Sequence, residues 1–227
     1  MQIKGLYAIT PDIADTKLLL EMVEAALQGG ASTLQYRNKL ANSELQYQQA
    51  HAILPMCRQF NVPLIINDSV ELCLSLNADG VHLGADDGNL AKVKARIGKN
   101  KILGASCYNS LALAFKAQEQ GANYVAFGAC FPSSTKPNAP VASLDLFAKA
   151  KADLNIPTVA IGGITLQNAP QLIHSGACAI ALIDAIFNSA FTTGDIKSTT
   201  QQFAKIGRDL VRGVGRGTPL VLGLDTH

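Results

Sequence analysis

The sequence predicts a single-domain α/β protein folded as a (β/α)8 TIM barrel, and three observations carry that prediction. Eight short runs rich in Val, Ile, Leu and Ala recur along the 227 residues. The runs are nearly continuous in apolar residues, as strands covered on both faces are. Longer amphipathic stretches separate them, so strand and helix alternate in the order that builds a parallel sheet. Eight units of about 28 residues each close economically into a barrel. A doubly wound open sheet is the alternative arrangement of the same elements.

The strands read as Leu6–Thr10, Thr33–Arg37, Pro63–Asn67, Gly80–Leu83, Ile102–Ser106, Tyr124–Gly128, Thr158–Gly162 and Ala179–Ile183. Helical periodicity is clearest at Thr16–Leu27, Asn42–Phe60, Ser110–Glu119 and Leu144–Asp153. Glycines at Gly29-Gly30, Gly121 and Gly176 then turn the chain towards the next strand. Residues 1–211 are expected to form the catalytic barrel. Residues 212–227 are too rich in glycine to be helical and are read as a tail to which the sequence assigns no role.

Only 16% of the residues are charged against 48% hydrophobic. An ordinary soluble domain carries roughly 25% charged residues, so a large share of this chain goes inside, which excludes a disordered or acidic-tail protein. A formal charge of +2 gives no warrant for a nucleic-acid partner. No apolar stretch approaches the ~20 residues needed to cross a bilayer, so no membrane partner is expected. The five cysteines include no Cys-x-x-Cys and sit mostly in apolar runs, so they read as reduced core residues of a cytoplasmic protein. No Cys or His pair has zinc-ligand spacing.

Active sites of such barrels form where the strands end, so the residues after each run matter most. Gln35-Tyr36-Arg37-Asn38-Lys39 follows the second run and Asn67-Asp68 the third. Asp86 and Asp87 follow the fourth, and Ser106 closes the fifth. Ser133-Ser134-Thr135-Lys136 follows the sixth, Gly162-Gly163 the seventh, and Ile183-Asp184 the eighth. Asp68 and Asp87 end neighbouring strands whose backbones lie ~4.8 Å apart, within reach of one Mg2+ ion. Asp86 competes with Asp87 for that role, and Asp68 and Asp87 each also suit a helix N-cap. Arg37 and Lys39 stand two apart, on one face of a strand. Consecutive hydroxyls before Lys136 suit an anion, as do backbone N–H groups at Gly163. His82 reads either as an acid or base or as a packed, orienting ring. No Ser–His–Asp or Cys–His set falls on this rim, which disfavours covalent acyl transfer.

Five strings in order resemble thiamine-phosphate synthases: Gln35–Lys39, Ile66–Asp68, Ala78–Gly84, Ser133–Lys136 and Ala160–Ile164. The resemblance runs from about residue 5 to residue 187. It implies two phosphorylated small-molecule substrates, 4-amino-2-methyl-5-(diphosphooxymethyl)pyrimidine and 4-methyl-5-(2-phosphooxyethyl)thiazole, condensed with release of diphosphate in a Mg2+-dependent reaction. Gln35, Tyr36, Arg37, Asn38, Lys39, Asn67, Ser106 and Lys136 would hold the pyrimidine diphosphate, with Arg37, Lys39, Ser106 and Lys136 as the catalytic set. Ser133, Ser134, Thr135, Gly163, Ile183 and Asp184 would take the thiazole phosphate, and Asp68 and Asp87 the metal. Two positions depart from the family pattern: Ala85 stands where Gln is usual and Asp184 where Ser is common. A thiazole tautomerase on the same barrel, or a barrel that binds a phosphorylated precursor without turnover, are the competing readings. The sequence assigns no oligomeric state.

Overall fold

A computed structural model describes residues 3–84, 88–132, 142–188 and 190–213. Eight strands close into one barrel in sequence order: β1 (Gly5–Ile9), β2 (Thr33–Tyr36), β3 (Leu64–Asn67), β4 (Gly80–Leu83), β5 (Ile102–Ser106), β6 (Tyr124–Phe127), β7 (Thr158–Ile161) and β8 (Ala179–Leu182). Every neighbouring pair is parallel, and the ring is sealed by β1 against β8, with Leu6 opposite Ile180. The open doubly wound alternative is thereby excluded.

The helices that cover the ring are α1 (Thr16–Gln28), α2 (Ser43–Gln59), α3 (Val70–Ser75), α4 (Leu90–Ile97), α5 (Leu111–Glu119), α6 (Leu144–Asp153), α7 (Ala169–His174) and α8 (Thr193–Gly213). Most start where the sequence supplies a cap: the side chains of Asp15, Asn42, Ser69, Asn89 and Ser110 each accept a backbone N–H of the first turn. Ser69 and Asn89 therefore cap α3 and α4, which removes the cap reading for Asp68. Helix α8 is assigned through Gly213, two residues into the segment read as a tail. Among the described residues, no helix is long and apolar enough to cross a membrane.

Strand alternation separates two cores. Inward residues such as Tyr7, Ile9, Ile65, Ile102, Tyr124, Ala126, Val159, Ala179 and Ala181 pack together along the barrel axis. Outward residues such as Leu34, Tyr36, Leu64, Val81, Leu103 and Val125 join the larger cluster beneath the helices. This parity decides which residues at a strand end can face the barrel mouth. Four cysteines are buried and Cys178 is partly so, all of them free thiols.

Candidate active site at the barrel mouth

The end of β2 is clamped to the end of β1. The Thr10 hydroxyl donates to the Arg37 carbonyl and accepts the Arg37 N–H, both at 2.8 Å. Beyond it, the Asp12 carboxylate accepts from the Arg37 guanidinium at 2.8 Å and from the Lys39 backbone N–H at 2.7 Å. Lys39 Nζ in turn lies 3.4 Å from the Asp68 carboxylate. Asp68 takes a left-handed conformation (φ 60°), and its N–H donates to the carbonyl of His82. Short polar side chains tolerate that region better than most. Asn67 donates to the Asp68 carboxylate at 2.7 Å. Arg37, Lys39, Asn67 and Asp68 line a cleft of about 480 Å3 whose outer rim carries the Glu71–Arg96 ion pair.

Tyr36 and Asn38 border the same cleft, but their polar side-chain atoms go elsewhere. The Tyr36 hydroxyl and the Asn38 amide both donate to the side-chain oxygen of the fully buried Gln49 on α2, at 2.9 and 3.0 Å. The Gln49 amide donates onward to the Ile13 carbonyl. Burial, then the negative charge of Asp12, pushes the Tyr36 hydroxyl well above the ordinary phenol range, so it stays a neutral donor. These two residues brace the loop instead of presenting their side-chain polar groups to the mouth.

Inside the ring, Gln35, Ser106 and His82 meet through hydrogen bonds. Gln35 reaches Tyr7, and both nitrogens of the His82 ring are engaged, one by Tyr124 and the other by Ser106. That arrangement matches the orienting reading of His82. On the far side, Gly162 and Gly163 have φ values of 101° and 63°. A side chain on Gly163 would meet the Phe131 carbonyl oxygen at 2.5 Å and that of Pro132 at 2.7 Å. The post-β6 segment lies against this turn, with Cys130 N–H on the Ile161 carbonyl and Phe131 N–H on the Gly162 carbonyl. Ile183 is partly buried and Asp184 exposed in the turn after β8. Asp87, Ser133, Ser134, Thr135 and Lys136 lie outside the described residues.

A second, more open groove of about 630 Å3 runs between α1 and α2, lined by residues such as Leu20, Met56 and Phe60. None of the candidate residues lines it, and it is set apart from the strand ends where they collect.

The model of the thiamine monophosphate synthase family matches residues 6–186. The chain belongs to that family. It is 56% identical over 204 residues to a thiamine-phosphate synthase of Methylobacillus flagellatus, covering 90% of this chain and 95% of that protein. A thiamine-phosphate synthase of Nitrosomonas eutropha is 48% identical over 206 residues, covering 91% and 95%. Among solved structures, thiamine phosphate pyrophosphorylase from Pyrococcus furiosus superposes with a TM-score of 0.79 at 33% identity, covering 91% of this chain and 96% of that one. The family match encloses every candidate residue from Gln35 to Asp184. It also encloses four that sequence reasoning passed over: Tyr7, Thr10, Asp12 and Gln49. A carboxylate on the same rim as the Arg37-x-Lys39 pair was the available signal for Asp12.

Proposed function

We propose that this chain is a thiamine-phosphate synthase: it joins the pyrimidine diphosphate to the thiazole phosphate, giving thiamine phosphate and diphosphate. The observation that carries the reading is the convergence of Arg37, Lys39, Asn67 and Asp68 on one cleft, in a chain of this family.

The chemistry needs a departing anion neutralised. The bridging C–O bond breaks, its electron pair leaves with the diphosphate, and the aminopyrimidine delocalises the methylene cation. The thiazole nitrogen then supplies the pair that forms the new C–N bond. A diphosphate ester carries about −3 near neutrality, so fixed cations aimed at it stabilise the charge as it develops. Arg37 and Lys39 serve that role with Lys136. Asp12 holds Arg37 in place, and this anchoring limits the guanidinium's motion before substrate arrives. Ser133 to Thr135 and Gly163 hold the thiazole phosphate, with Ile183 and Asp184 at its edge.

The donor set fits magnesium. Asp68 offers a hard carboxylate, 42% exposed at the mouth, and Mg2+ needs only one or two carboxylates when water and phosphate oxygens complete its shell. Asp68 and Asp87 would hold it. When bound, the ion adds positive charge to the diphosphate side of the cleft. Free thiols throughout suit a reducing cytoplasmic setting.

Incubating the purified protein with both substrates and Mg2+ and measuring diphosphate tests the reading. Diphosphate in step with thiamine phosphate is expected. A thiazole tautomerase would release none, and a binding barrel would retain substrate without turnover.

A further inference from the structure

Five side chains from five strands form one hydrogen-bonded line across the barrel. Gln35 on β2 donates its amide N–H to the Tyr7 hydroxyl on β1 at 2.9 Å. The Tyr7 and Tyr124 hydroxyls are 2.8 Å apart, the latter on β6. Tyr124 meets His82 Nδ1 on β4 at 2.9 Å, and His82 Nε2 meets Ser106 Oγ on β5 at 2.8 Å. Tyr7, Gln35, His82 and Tyr124 are buried, and Ser106, at the mouth end, is partly exposed. The line also has reserved space. A Cβ on Gly104, two residues before Ser106 on the same face, would stand 2.3 Å from the Tyr124 hydroxyl and 2.1 Å from Cζ.

Proton counting gives the line one direction. A phenol has one proton to donate. The Tyr7 oxygen accepts from Gln35, so its proton goes to Tyr124, the other polar partner it has among the described residues. Tyr124, already accepting there, gives its proton to His82 Nδ1. The ring must then carry its own proton on Nε2, which donates to Ser106 Oγ. Ser106 is left with its hydroxyl proton to offer elsewhere. Burial raises the pKa of both tyrosines, so neither link ionises in the neutral range.

We propose that this relay fixes Ser106 as a hydrogen-bond donor towards the mouth, with Tyr7, Tyr124 and His82 as positioning residues and Gly104 as the space they require. The inference rests on the synthase reading, because a donor suits an anionic or nitrogen-acceptor substrate. A serine free to rotate would sometimes present a lone pair to the same atom and repel it. The relay therefore acts on turnover more than on substrate capture.

The histidine tautomer is directly measurable. In protein labelled with 15N-histidine, the His82 signals are identified by their loss in His82→Gln. A neutral ring with its proton on Nε2 and a bare Nδ1 is expected; a proton on Nδ1, or on both, overturns the relay. Kinetics add an independent arm. The Gln side chain reaches the place of Nε2 and keeps a donor for Ser106, whereas Asn reaches only the place of Nδ1. His82→Gln should retain at least tenfold more kcat than His82→Asn, and equal loss in both overturns the proposal. Tyr124→Phe and Gly104→Ala should each lower kcat about ten- to hundredfold with little change in KM. Should either variant fold poorly, the wild-type tautomer still decides. Diphosphate release by the wild type is scored separately, so a failed activity and a failed relay are told apart.

Discussion

Asp12 accepts three hydrogen bonds from the loop that follows β2, two from the Arg37 guanidinium and one from the Lys39 N–H. The carboxylate thus aims the first cation and pins the backbone that carries the second. Asp12→Ala should lower kcat/KM about ten- to hundredfold, since a charge-assisted hydrogen bond contributes about 1.5–3 kcal/mol. Steady-state kinetics with each substrate varied would show it, and an unchanged Tm would locate the loss in the site and not in the fold.

Gly163 is required by its neighbours. A methyl group there would press on the Phe131 and Pro132 carbonyls, at a φ of 63° that L side chains rarely adopt. Gly163→Ala should displace the segment that leads to Ser133–Lys136 and cost on the order of 100-fold in kcat/KM. The KM for the thiazole phosphate should rise more than that for the pyrimidine diphosphate.

Gln49 is fully buried and accepts from two donors that are themselves buried. In Gln49→Leu the Tyr36 hydroxyl and the Asn38 amide would both lose their shared acceptor, although Asn38 keeps the Ile13 carbonyl. An unsatisfied buried group costs about 1–3 kcal/mol, so urea unfolding should give a loss of about 2–4 kcal/mol. A variant as stable as the wild type would show that the hub is dispensable.

Asp68 and Lys136 can be tested through metal dependence. Asp68→Ala should abolish the response of turnover to Mg2+, or turnover itself, and Lys136→Ala should lower kcat by orders of magnitude at an unchanged Tm. Full Mg2+-dependent activity in Asp68→Ala would remove it as a ligand.

The core thiols set the alkaline limit. Burial pushes Cys57, Cys107 and Cys130 up to about 12, from an ordinary value of 9.0. Their folded pKa values are raised, so the stability they confer is complete below about pH 9 and is lost as pH climbs towards 12. Each thiol then costs about 1.4 kcal/mol per pH unit within that window. Urea midpoints measured from pH 8 to pH 11 should be flat at first and fall beyond pH 9.

The barrel was legible because eight apolar runs and their spacing leave few other closures, and the observed strands match the predicted runs to within a residue or two. Strand ends were equally legible as the place to look. What the strings hid was orientation. Alternation, applied to Arg37 and Lys39 alone, also turns Tyr36 and Asn38 outward, where Gln49 receives them. The hub and the Asp12 anchor depend on contacts between segments far apart in the chain, which no local pattern encodes. Short helices such as α3 and α7, at 6 residues each, offer too few turns for a periodic signal.

The pairing of Leu6 with Ile180 joins almost the earliest and almost the latest residues of the fold. During translation β1 must wait, with one flank bare, until nearly all of the polypeptide has left the ribosome. A product cut short before β8 would keep two raw sheet edges and no completed mouth, and such edges recruit other chains. Catalytic competence and protection from aggregation are thus acquired in a single late step, when the final strand docks.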